Sequence, residues 1–316
     1  MPGHRIAHLV RSNYGSDKGV GTRHTISGLW RTMRPRHWIK NIFVIAPIVF
    51  APAVFSAGKL LEVLVCFAIF CVTASAIYMI NDLADVERDR EHPDKQHRPI
   101  ASGELSVGAA AVSAVVLTTA SILLSLAMSS NLTVIVLLYI LINLAYSFWL
   151  KHVVIIDVFC VASGFLLRII AGAVVINVTP SPWILICTLL LALFLALGKR
   201  QHEILLSQDQ RYEIEHRPVL VGYSLHLVDQ LIAIVTSSTI LTYLLYTLDP
   251  NTIRRLDAPY LFTTGIFVIL GVFRYLFIAH KGTLAGNPVE LVFKDPTFLA
   301  VVLGWMLSIV AVIYLI

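Results

Sequence analysis

The most informative segment of the sequence, residues 81–103, reads NDLADVERDREHPDKQHRPIASG. It directly follows the apolar run at residues 60–80, so we expect it to continue a membrane-spanning helix where that helix leaves the lipid. At about 100° per residue, Asp82, Asp85 and Asp89 fall within an arc of about 60° on one helix face, whereas Glu87 points the other way. The pattern predicts an acidic helix face at a membrane surface.

Three stacked carboxylates repel one another, and each is costly next to lipid. A hard divalent cation between them removes that cost, and Mg²⁺ usually shares its oxygen shell with substrate phosphates. We therefore predict Asp82, Asp85 and Asp89 as metal ligands and catalytic residues, with Mg²⁺ as the expected ion and Mn²⁺ as its alternative. The competing interpretation is a solvated helix end that carries ordinary charges.

The composition places the whole chain in a membrane. Of its 316 residues, 57% are hydrophobic and only 14% are charged, and the mean hydropathy is +0.80. Soluble domains carry roughly 25% charged residues. Apolar runs predict an all-α integral membrane protein of about nine transmembrane helices, at residues 40–56, 60–80, 107–128, 132–149, 154–175, 183–198, 227–248, 260–279 and 297–316. Pro47 and Pro52 interrupt the first run, which we expect to be kinked, and the sixth run is short.

The loop charges predict the orientation. Lysines and arginines concentrate before the first run and in alternate loops, which favours a cytoplasmic N-terminus and, with nine spans, an outside C-terminus at Ile316. The same placement accounts for the excess of 24 basic over 19 acidic residues without a nucleic-acid partner. Residues 1–29 lack a long apolar run and are predicted to be a flexible basic cytoplasmic tail, followed by one catalytic domain at 30–316.

The pattern N-D-x-x-D-x-x-x-D followed by H-P-x-K-x-x-R-P-I-A-S-G resembles the first aspartate-rich motif of the UbiA superfamily of intramembrane prenyltransferases. The resemblance implies a ring of helices around a central cavity that opens to the cytoplasm and laterally to lipid. It also implies that Asp82, Asp85 and Asp89 bind Mg²⁺ ions that hold a diphosphate, with Asn81 beside them.

A second D-x-x-x-D motif, usual in that superfamily, is replaced here by Gly198-Lys199-Arg200-Gln201-His202-Glu203. Asp209 and Glu213 have i, i+4 spacing but lie farther along. The G-K-R-x-x-E segment resembles the branch that transfers phosphoribosyl groups to decaprenyl phosphate. Further segments share this resemblance: RPRHWIKN at 34–41, Tyr146-Ser147, Lys151, Leu167-Arg168, Ala171-Gly172, Arg274-Tyr275 and Leu284-Ala285-Gly286.

This branch implies 5-phosphoribosyl 1-diphosphate as donor, a polyprenyl phosphate as acceptor, a bacterial inner membrane as location and a product used for the cell envelope. Such a donor and acceptor bring extra phosphates, which Lys and Arg bind through charge-assisted hydrogen bonds. The predicted substrate-binding residues are Lys40, Asn81, Lys95, Arg98, Tyr146, Lys151, Asp157, Arg168, Lys199, Arg200, Glu203 and Arg274. His92 and His97 are further candidates for phosphate contact.

Several of these residues also have a simpler interpretation. Cytoplasmic loops need basic residues for orientation alone, and long basic side chains snorkel at membrane surfaces. Arg168 and Arg274 lie within apolar runs, where an arginine normally needs a partner inside the bundle. Asp157 is a candidate partner or metal ligand, but its 11-residue separation from Arg168 excludes a direct pair along one helix.

Two other functions fit parts of the sequence. The chain could transfer a prenyl group from a prenyl diphosphate to an aromatic or other acceptor, although the missing second aspartate pair argues against this. A transporter with an acidic cation site is the alternative from a different class. Transporters often show broken helices in two halves and polar residues near the bilayer midplane, whereas the acids here cluster at one membrane face.

Overall fold

The computed structural model describes residues 22–209, 218–280 and 295–315, and every regular element among them is a helix. An amphipathic helix, α1, spans Thr22–Met33. Eight long apolar helices follow in the described ranges: α2 Ala57–Ala84, α3 Val107–Met128, α4 Ser130–Phe148, α5 Ile156–Val175, α6 Pro182–Asp209, α7 Leu225–Leu248, α8 Gly265–His280 and α9 Pro296–Tyr314. Each is long enough to cross a bilayer, α8 together with the 3₁₀ helix that precedes it, over Leu261–Ala279.

Shorter helical segments connect these spans. They comprise the 3₁₀ helices Pro35–Val44, Pro52–Val54, Lys95–His97, Leu150–His152, Pro218–Gly222 and Leu261–Thr264, and the short α-helices Ala46–Val49, Val86–Glu91 and Pro250–Leu256. Serine and aspartate side chains cap several of the long helices. Ser106, Ser129 and Ser224 accept hydrogen bonds from first-turn N–H groups of α3, α4 and α7, which satisfies donors that the helix itself leaves unpaired.

The first predicted span, residues 40–56, is not one continuous helix. Pro47 and Pro52 cannot donate backbone hydrogen bonds, and residues 35–54 form three short helices instead. This irregular segment still runs the length of α2. It begins beside Asp82 near the end of α2, where Arg34 bonds that carboxylate, and it reaches Ala57 at the start of α2. This irregular crossing is not among the eight described helices that are long and apolar enough to span a membrane, so the prediction of nine transmembrane helices holds only approximately.

Protein surrounds this irregular crossing. Asn41, Val44 and Ile48 are buried, as expected for irregular backbone at membrane depth, which is stable only when neighbouring elements cover it. Gly172 of α5 allows the closest approach, because a Cβ atom there would collide with the carbonyl oxygen of Val44. The glycine is needed for this contact between α5 and the first crossing.

Two helix boundaries change the interpretation of charged residues. α1 begins at Thr22, within the predicted tail, and Leu29 packs against the apolar cluster of Ile100, Leu105 and Ala110; residues 1–21 lie outside the described residues. The sixth span was predicted to be short and to end at residue 198. Instead α6 continues to Asp209, so Lys199, Arg200 and Glu203 lie on a helix and not in a loop.

The outer helices expose apolar side chains while α2 and α5 are mostly enclosed. On α3, Val112, Val115 and Leu123 are all exposed. Contiguous apolar surface of this kind suits a lipid environment and not water. The enclosed end of α2 and the start of α5 bring the acidic stretch and the basic residues of α6 towards one face of the bundle.

Candidate active site

A cavity of about 490 Å³ lies where α2 ends. It is lined by elements far apart in sequence, namely Arg34, Tyr78, Asn81, Asp82, Asp85, Arg88, Asp89, His92, Asp94, Lys95, Arg98, Tyr146, Ser147, Lys151, His152, Lys199, Glu203 and Leu220. Ten of the fifteen predicted site residues are in this lining. The remaining five are Lys40, Asp157, Arg168, Arg200 and Arg274.

The three predicted aspartates all reach the cavity, but they do not form one straight helical face. α2 ends at Ala84, Asp85 occupies the turn, and the short helix Val86–Glu91 carries Asp89. Asp82 and Asp89 are buried, and both accept hydrogen bonds from Nη1 of Arg98, at 3.1 and 2.6 Å. Burial raises the pKa of Asp89, with Arg98 acting in the opposite direction.

Asp82 and Asp85 each have a basic partner from a distant part of the chain, whereas Arg98, the partner of Asp89, is nine residues away. Nη2 of Arg34 donates to Oδ1 of Asp82 at 2.5 Å, and Nζ of Lys151 donates to Oδ1 of Asp85 at 2.9 Å. These pairs explain how three acids remain together beside a membrane. They also place guanidinium and ammonium groups where phosphate oxygens would meet them.

Neutral side chains complete one wall. Ser147 donates a hydrogen bond to Oδ1 of Asn81 and also bonds the carbonyl of Asn143. This joins the end of α2 to α4 and brings Tyr146 to the cavity. On another side of the cavity, α6 contributes Lys199 and Glu203. Nζ of Lys199 lies 3.9 Å from Oε1 of Glu203.

Asp157 and Arg200 form a buried pair behind the cavity wall. Nε of Arg200 donates to Asp157 at 2.7 Å, and its Nη1 bonds Glu203 at 2.5 Å. Tyr223 donates to the other oxygen of Asp157 at 2.7 Å. Asp157 is thus the partner of Arg200 and not of Arg168, as the 11-residue separation of Asp157 and Arg168 along α5 requires.

Arg168 instead joins α5 to the first crossing. It donates to Asn41 Oδ1, the carbonyl of Gly164 and the hydroxyl of Tyr139 at 2.7, 2.7 and 2.9 Å. All three acceptors are neutral. The guanidinium also lies 4.8 Å from the centre of the Tyr139 ring, which favours a cation in a site without a carboxylate.

Lys40 and Arg274 lie elsewhere. Lys40 is partly buried in the 3₁₀ helix Pro35–Val44, where the positive charges of Lys199, Arg168 and Arg34 repel its ammonium group. Arg274 of α8 pairs with Asp295, which precedes α9, at 2.8 Å. The predicted pair Asp209 and Glu213 and the segment Leu284-Ala285-Gly286 fall where side chains are not described.

The cavity also contains residues that the sequence pattern did not single out. Tyr78 precedes Asp82 by four residues and shares its face of α2, and Arg88 follows Asp85 by three on the next short helix, so both could have been found by extending the helical periodicity. Arg34 and His152 carry no comparable signal. Arg34 stands in the segment RPRHWIKN, but only the tertiary fold brings it to Asp82.

The donor set suits a hard cation, although no complete metal cage is formed. Among the described residues, no three His, Cys, Asp or Glu side chains converge closely enough to hold a metal ion. Carboxylate oxygens nevertheless line the cavity from three positions, Asp82, Asp85 and Asp89, and such oxygens are the ligands that Mg²⁺ prefers. The type of side chain that lines the cavity therefore suits Mg²⁺.

The described part of the protein is an all-helical membrane bundle, and acidic and basic side chains surround a cavity at one of its membrane faces. A family model of the UbiA prenyltransferase family matches residues 42–289. The chain belongs to this family, which confirms the resemblance drawn from residues 81–103 and the predicted all-helical fold.

Similar proteins agree with this assignment. The chain is 36% identical over 306 residues to a decaprenyl-phosphate phosphoribosyltransferase of Mycolicibacterium smegmatis, covering 92% of this chain and 94% of the relative. It is 34% identical to one of Corynebacterium glutamicum, covering 93% and 89%. A structure of a UbiA homolog from Archaeoglobus fulgidus bound to GPP and Mg²⁺ superposes with a TM-score of 0.66 at 16% identity, covering 90% of this chain and all of the other. That likeness concerns the fold.

Proposed function

We propose that this chain transfers the 5-phosphoribosyl group of 5-phosphoribosyl 1-diphosphate to a polyprenyl phosphate such as decaprenyl phosphate and releases diphosphate. The observation that carries the proposal is the mixed charge of the cavity. Five acids share its lining with six basic residues, Arg34, Arg88, Lys95, Arg98, Lys151 and Lys199. The names of the Mycolicibacterium and Corynebacterium relatives support the same activity.

The basic residues distinguish this donor from a prenyl diphosphate. A prenyl donor has one anionic group and an apolar tail, whereas the phosphoribosyl donor is anionic at both ends and the acceptor adds another phosphate. Each phosphate gains from guanidinium and ammonium donors. Lys199 stands in the segment that replaces the second aspartate motif, so this substitution moves the charge of the cavity in the expected direction.

Asp82, Asp85 and Asp89 would hold Mg²⁺, as the family resemblance implies. The bound ion would offset the charge that develops on the leaving diphosphate. Arg34, Arg98 and Lys151 lie within hydrogen-bonding distance of those carboxylates, and in the substrate complex they would orient the phosphate oxygens. The bond between C1 and the diphosphate oxygen breaks, with positive charge shared by the ribose ring oxygen.

The new bond joins C1 to an oxygen of the acceptor phosphate. That phosphate is already anionic at neutral pH, so no general base is required. The chain's part is to position the acceptor beside C1, with Lys151 and Lys199 as the basic residues on the α4 and α6 sides of the cavity. The lipid tail remains in the bilayer, which is why a membrane-embedded site suits this acceptor.

The proposed location is a bacterial inner membrane, with the N-terminus and the cavity on the cytoplasmic side and the C-terminus outside. The distribution of loop charges supports this orientation, and a soluble phosphoribosyl donor would reach the cavity from the cytoplasm. The product, a polyprenyl phosphate carrying phosphoribose, would serve cell-envelope polysaccharide synthesis.

The test uses purified protein in detergent with Mg²⁺, labelled phosphoribosyl diphosphate and decaprenyl phosphate. We expect label to move into the lipid phase, EDTA to abolish transfer, and Asp82→Asn to reduce it by about 10³-fold, because several kcal/mol of charge stabilisation would be lost. Asp257→Asn is the matched control, since Asp257 is exposed in the turn between α7 and α8, away from the cavity.

Two results would contradict the proposal. Transfer of a prenyl group from a prenyl diphosphate to an aromatic acceptor, without phosphoribosyl transfer, would establish the alternative activity. Full transfer by Asp82→Asn would remove the aspartate cavity from the reaction even if the overall activity were correct.

A further inference from the structure

A second, smaller cavity adjoins the first. Its volume is about 220 Å³, and its basic walls are formed by Arg31, Arg34, His97 and Arg98. Arg34, Asp82, Asp94 and Arg98 line both cavities. The two spaces therefore meet at the same two carboxylates and the same two guanidinium groups.

The arginines between the cavities have hydrogen-bond donors to spare. A guanidinium carries five N–H groups. Within the described part of the chain, Arg34 bonds Asp82 through Nη2, and Arg98 bonds Asp82 and Asp89 through Nη1. Both side chains are partly exposed, at 25% and 29%. Each guanidinium can donate to an additional anionic ligand without breaking its present contacts.

Arg31 supplies a third guanidinium from α1. Its Nη1 bonds Glu104 at 2.5 Å, and its Nη2 lies 3.4 Å from the carbonyl oxygen of His97. Arg31 lines only the smaller cavity, whereas Lys95 and Lys151 line only the larger one. Arg31, His97 and Pro99 line only the smaller space, and Arg31 is the one guanidinium among them.

We propose that the smaller cavity binds the 5-phosphate of the phosphoribosyl donor while the diphosphate end lies in the larger one. This inference rests on the proposed function. The donor is one molecule with two anionic ends on a short sugar, and the cavities offer two cationic spaces on either side of Asp82. Arginine forks match phosphate oxygens in pairs. Asp94 also lines the space but is exposed, so its carboxylate can turn to solvent.

The smaller cavity would also act in donor selection. A prenyl diphosphate would place apolar carbon against the remaining N–H donors of Arg31, Arg34 and Arg98, and burying polar donors without a hydrogen-bond partner is costly. The site would therefore favour a phosphorylated sugar over a prenyl chain with the same diphosphate.

The test compares Arg31→Gln with Glu104→Gln, two variants that break the same ion pair but differ in the guanidinium. For each we would measure the inhibition constants of ribose 5-phosphate and of inorganic diphosphate, and the dissociation constant of phosphoribosyl diphosphate. Binding of ribose 5-phosphate is also measured in EDTA, since it requires no diphosphate and no metal.

We expect Arg31→Gln to weaken ribose 5-phosphate and phosphoribosyl diphosphate on the order of ten-fold, as the loss of one charge-assisted contact predicts. Inorganic diphosphate should change by less than about two-fold on the same reasoning, since Arg31 does not line the larger cavity. Glu104→Gln should leave all three constants close to wild type. Arg31→Lys, which keeps the charge but not the fork, should fall between the two.

Equal weakening of diphosphate and ribose 5-phosphate by Arg31→Gln would overturn the subsite, as would no change in either. The proposed function is judged separately, on wild-type protein. If wild type transfers phosphoribosyl but Arg31→Gln binds the donor normally, only the subsite is wrong. If wild type binds prenyl diphosphate and not phosphoribosyl diphosphate, the function itself is wrong.

Discussion

Two networks of ion pairs lie close together in this molecule and differ mainly in exposure. In the cavity network, Arg34 and Arg98 hold Asp82, with contacts down to 2.5 Å, while their side chains stay 25% and 29% exposed. In the wall network, Arg200 holds Asp157 at 2.7 Å with side-chain exposures of 4% and 0%. The contacts have similar lengths, and Asp82, at 3% exposure, is nearly as buried as Asp157; the networks differ in how far their arginines are open to water.

Exposure determines what such a pair can do. A partly open pair exchanges partners readily, because water and incoming ligands stabilise each charge when the pair separates. A fully buried pair is fixed, since separating it leaves a charge in a medium of low dielectric. The cavity network is therefore suited to bind substrate, whereas the wall network is suited to hold α5 and α6 together.

The largest stability effect should come from breaking the wall network on one side. Asp157→Asn leaves Arg200 buried with only Glu203 as an anionic partner among the described residues, and removal of one member of a buried pair costs about 3–5 kcal/mol. Denaturant or thermal unfolding in detergent would measure this loss. Asp85→Asn, which breaks an ion pair at the cavity, is the comparison. We expect it to lower the free energy of unfolding by about 1 kcal/mol or less, because Asp85 and Lys151 are partly exposed.

A double variant sharpens the result. Asp157→Leu with Arg200→Met removes both buried charges, and replacement of a whole buried pair by apolar groups is often neutral. It should recover part of the stability lost by Asp157→Asn. If Asp157→Asn and Asp85→Asn were equally stable, exposure would not be what separates the networks.

Tyr223 links the wall network to the cavity and offers a smaller, more selective change. Ile155 has φ of 71°, a strained conformation for a β-branched residue, and its N–H donates to the Tyr223 hydroxyl at 2.7 Å. Burial and the bond to Asp157 raise the pKa of Tyr223, so its hydroxyl remains a donor at neutral pH. Ile155 follows Lys151 by four residues. The hydrogen bonds of Tyr223 to Ile155 and Asp157 therefore hold in place the segment that carries Lys151 to the cavity.

Tyr223→Phe should cost about 1–3 kcal/mol of stability, because a buried N–H and a carboxylate oxygen lose their partner. It should also lower kcat by about ten-fold through displacement of Lys151. The control is Tyr243→Phe, which removes an equally buried hydroxyl bonded to Thr264 and Trp305 among helices that contribute no cavity residues there. If both variants lost stability alike and kept normal kcat, Tyr223 would be purely structural.

Local sequence patterns predicted much of the fold. The run at 107–128 matches α3 because polar Ser106 and Ser129 bound it and cap the helices that follow them. The run at 40–56 failed as a single helix because Pro47 and Pro52 remove backbone donors. The end of α6 was misplaced because Lys199 and Arg200 were taken for loop charges, whereas Arg200 is neutralised by Asp157 and Glu203.

The same distinction applies to the site. The proximity of Asp82, Asp85 and Asp89 was predictable because their spacing is local, and all three line the cavity although α2 ends between them. Their partners were harder, since Arg34 and Lys151 are 48 and 66 residues from the carboxylates that they bond. Asp157 was considered for Arg168, but only side-chain packing decides that it faces Arg200.

The smallest effect should come from the outermost ion pair, where Arg274 meets Asp295 at the start of α9. Asp295 also accepts the N–H of Phe298 at 2.6 Å and so caps that helix. Asn caps helices nearly as well as Asp, so Asp295→Asn removes the ion pair and keeps the cap. Because the pair is open to water, we expect the unfolding midpoint to fall by about 2 °C or less.

The pH dependence identifies the cause of this small change. The hydrogen bonds from Arg274 and from the Phe298 N–H lower the pKa of Asp295. Its contribution is therefore present above the pKa of the unfolded chain and is lost as pH falls through the lowered value. The difference between wild type and Asp295→Asn should shrink towards acid pH. Asp249→Asn, at the N-cap of the helix Pro250–Leu256, provides the control for the cap alone. A loss at Asp295 as large as that at Asp157 would show that burial does not set the strength of these pairs.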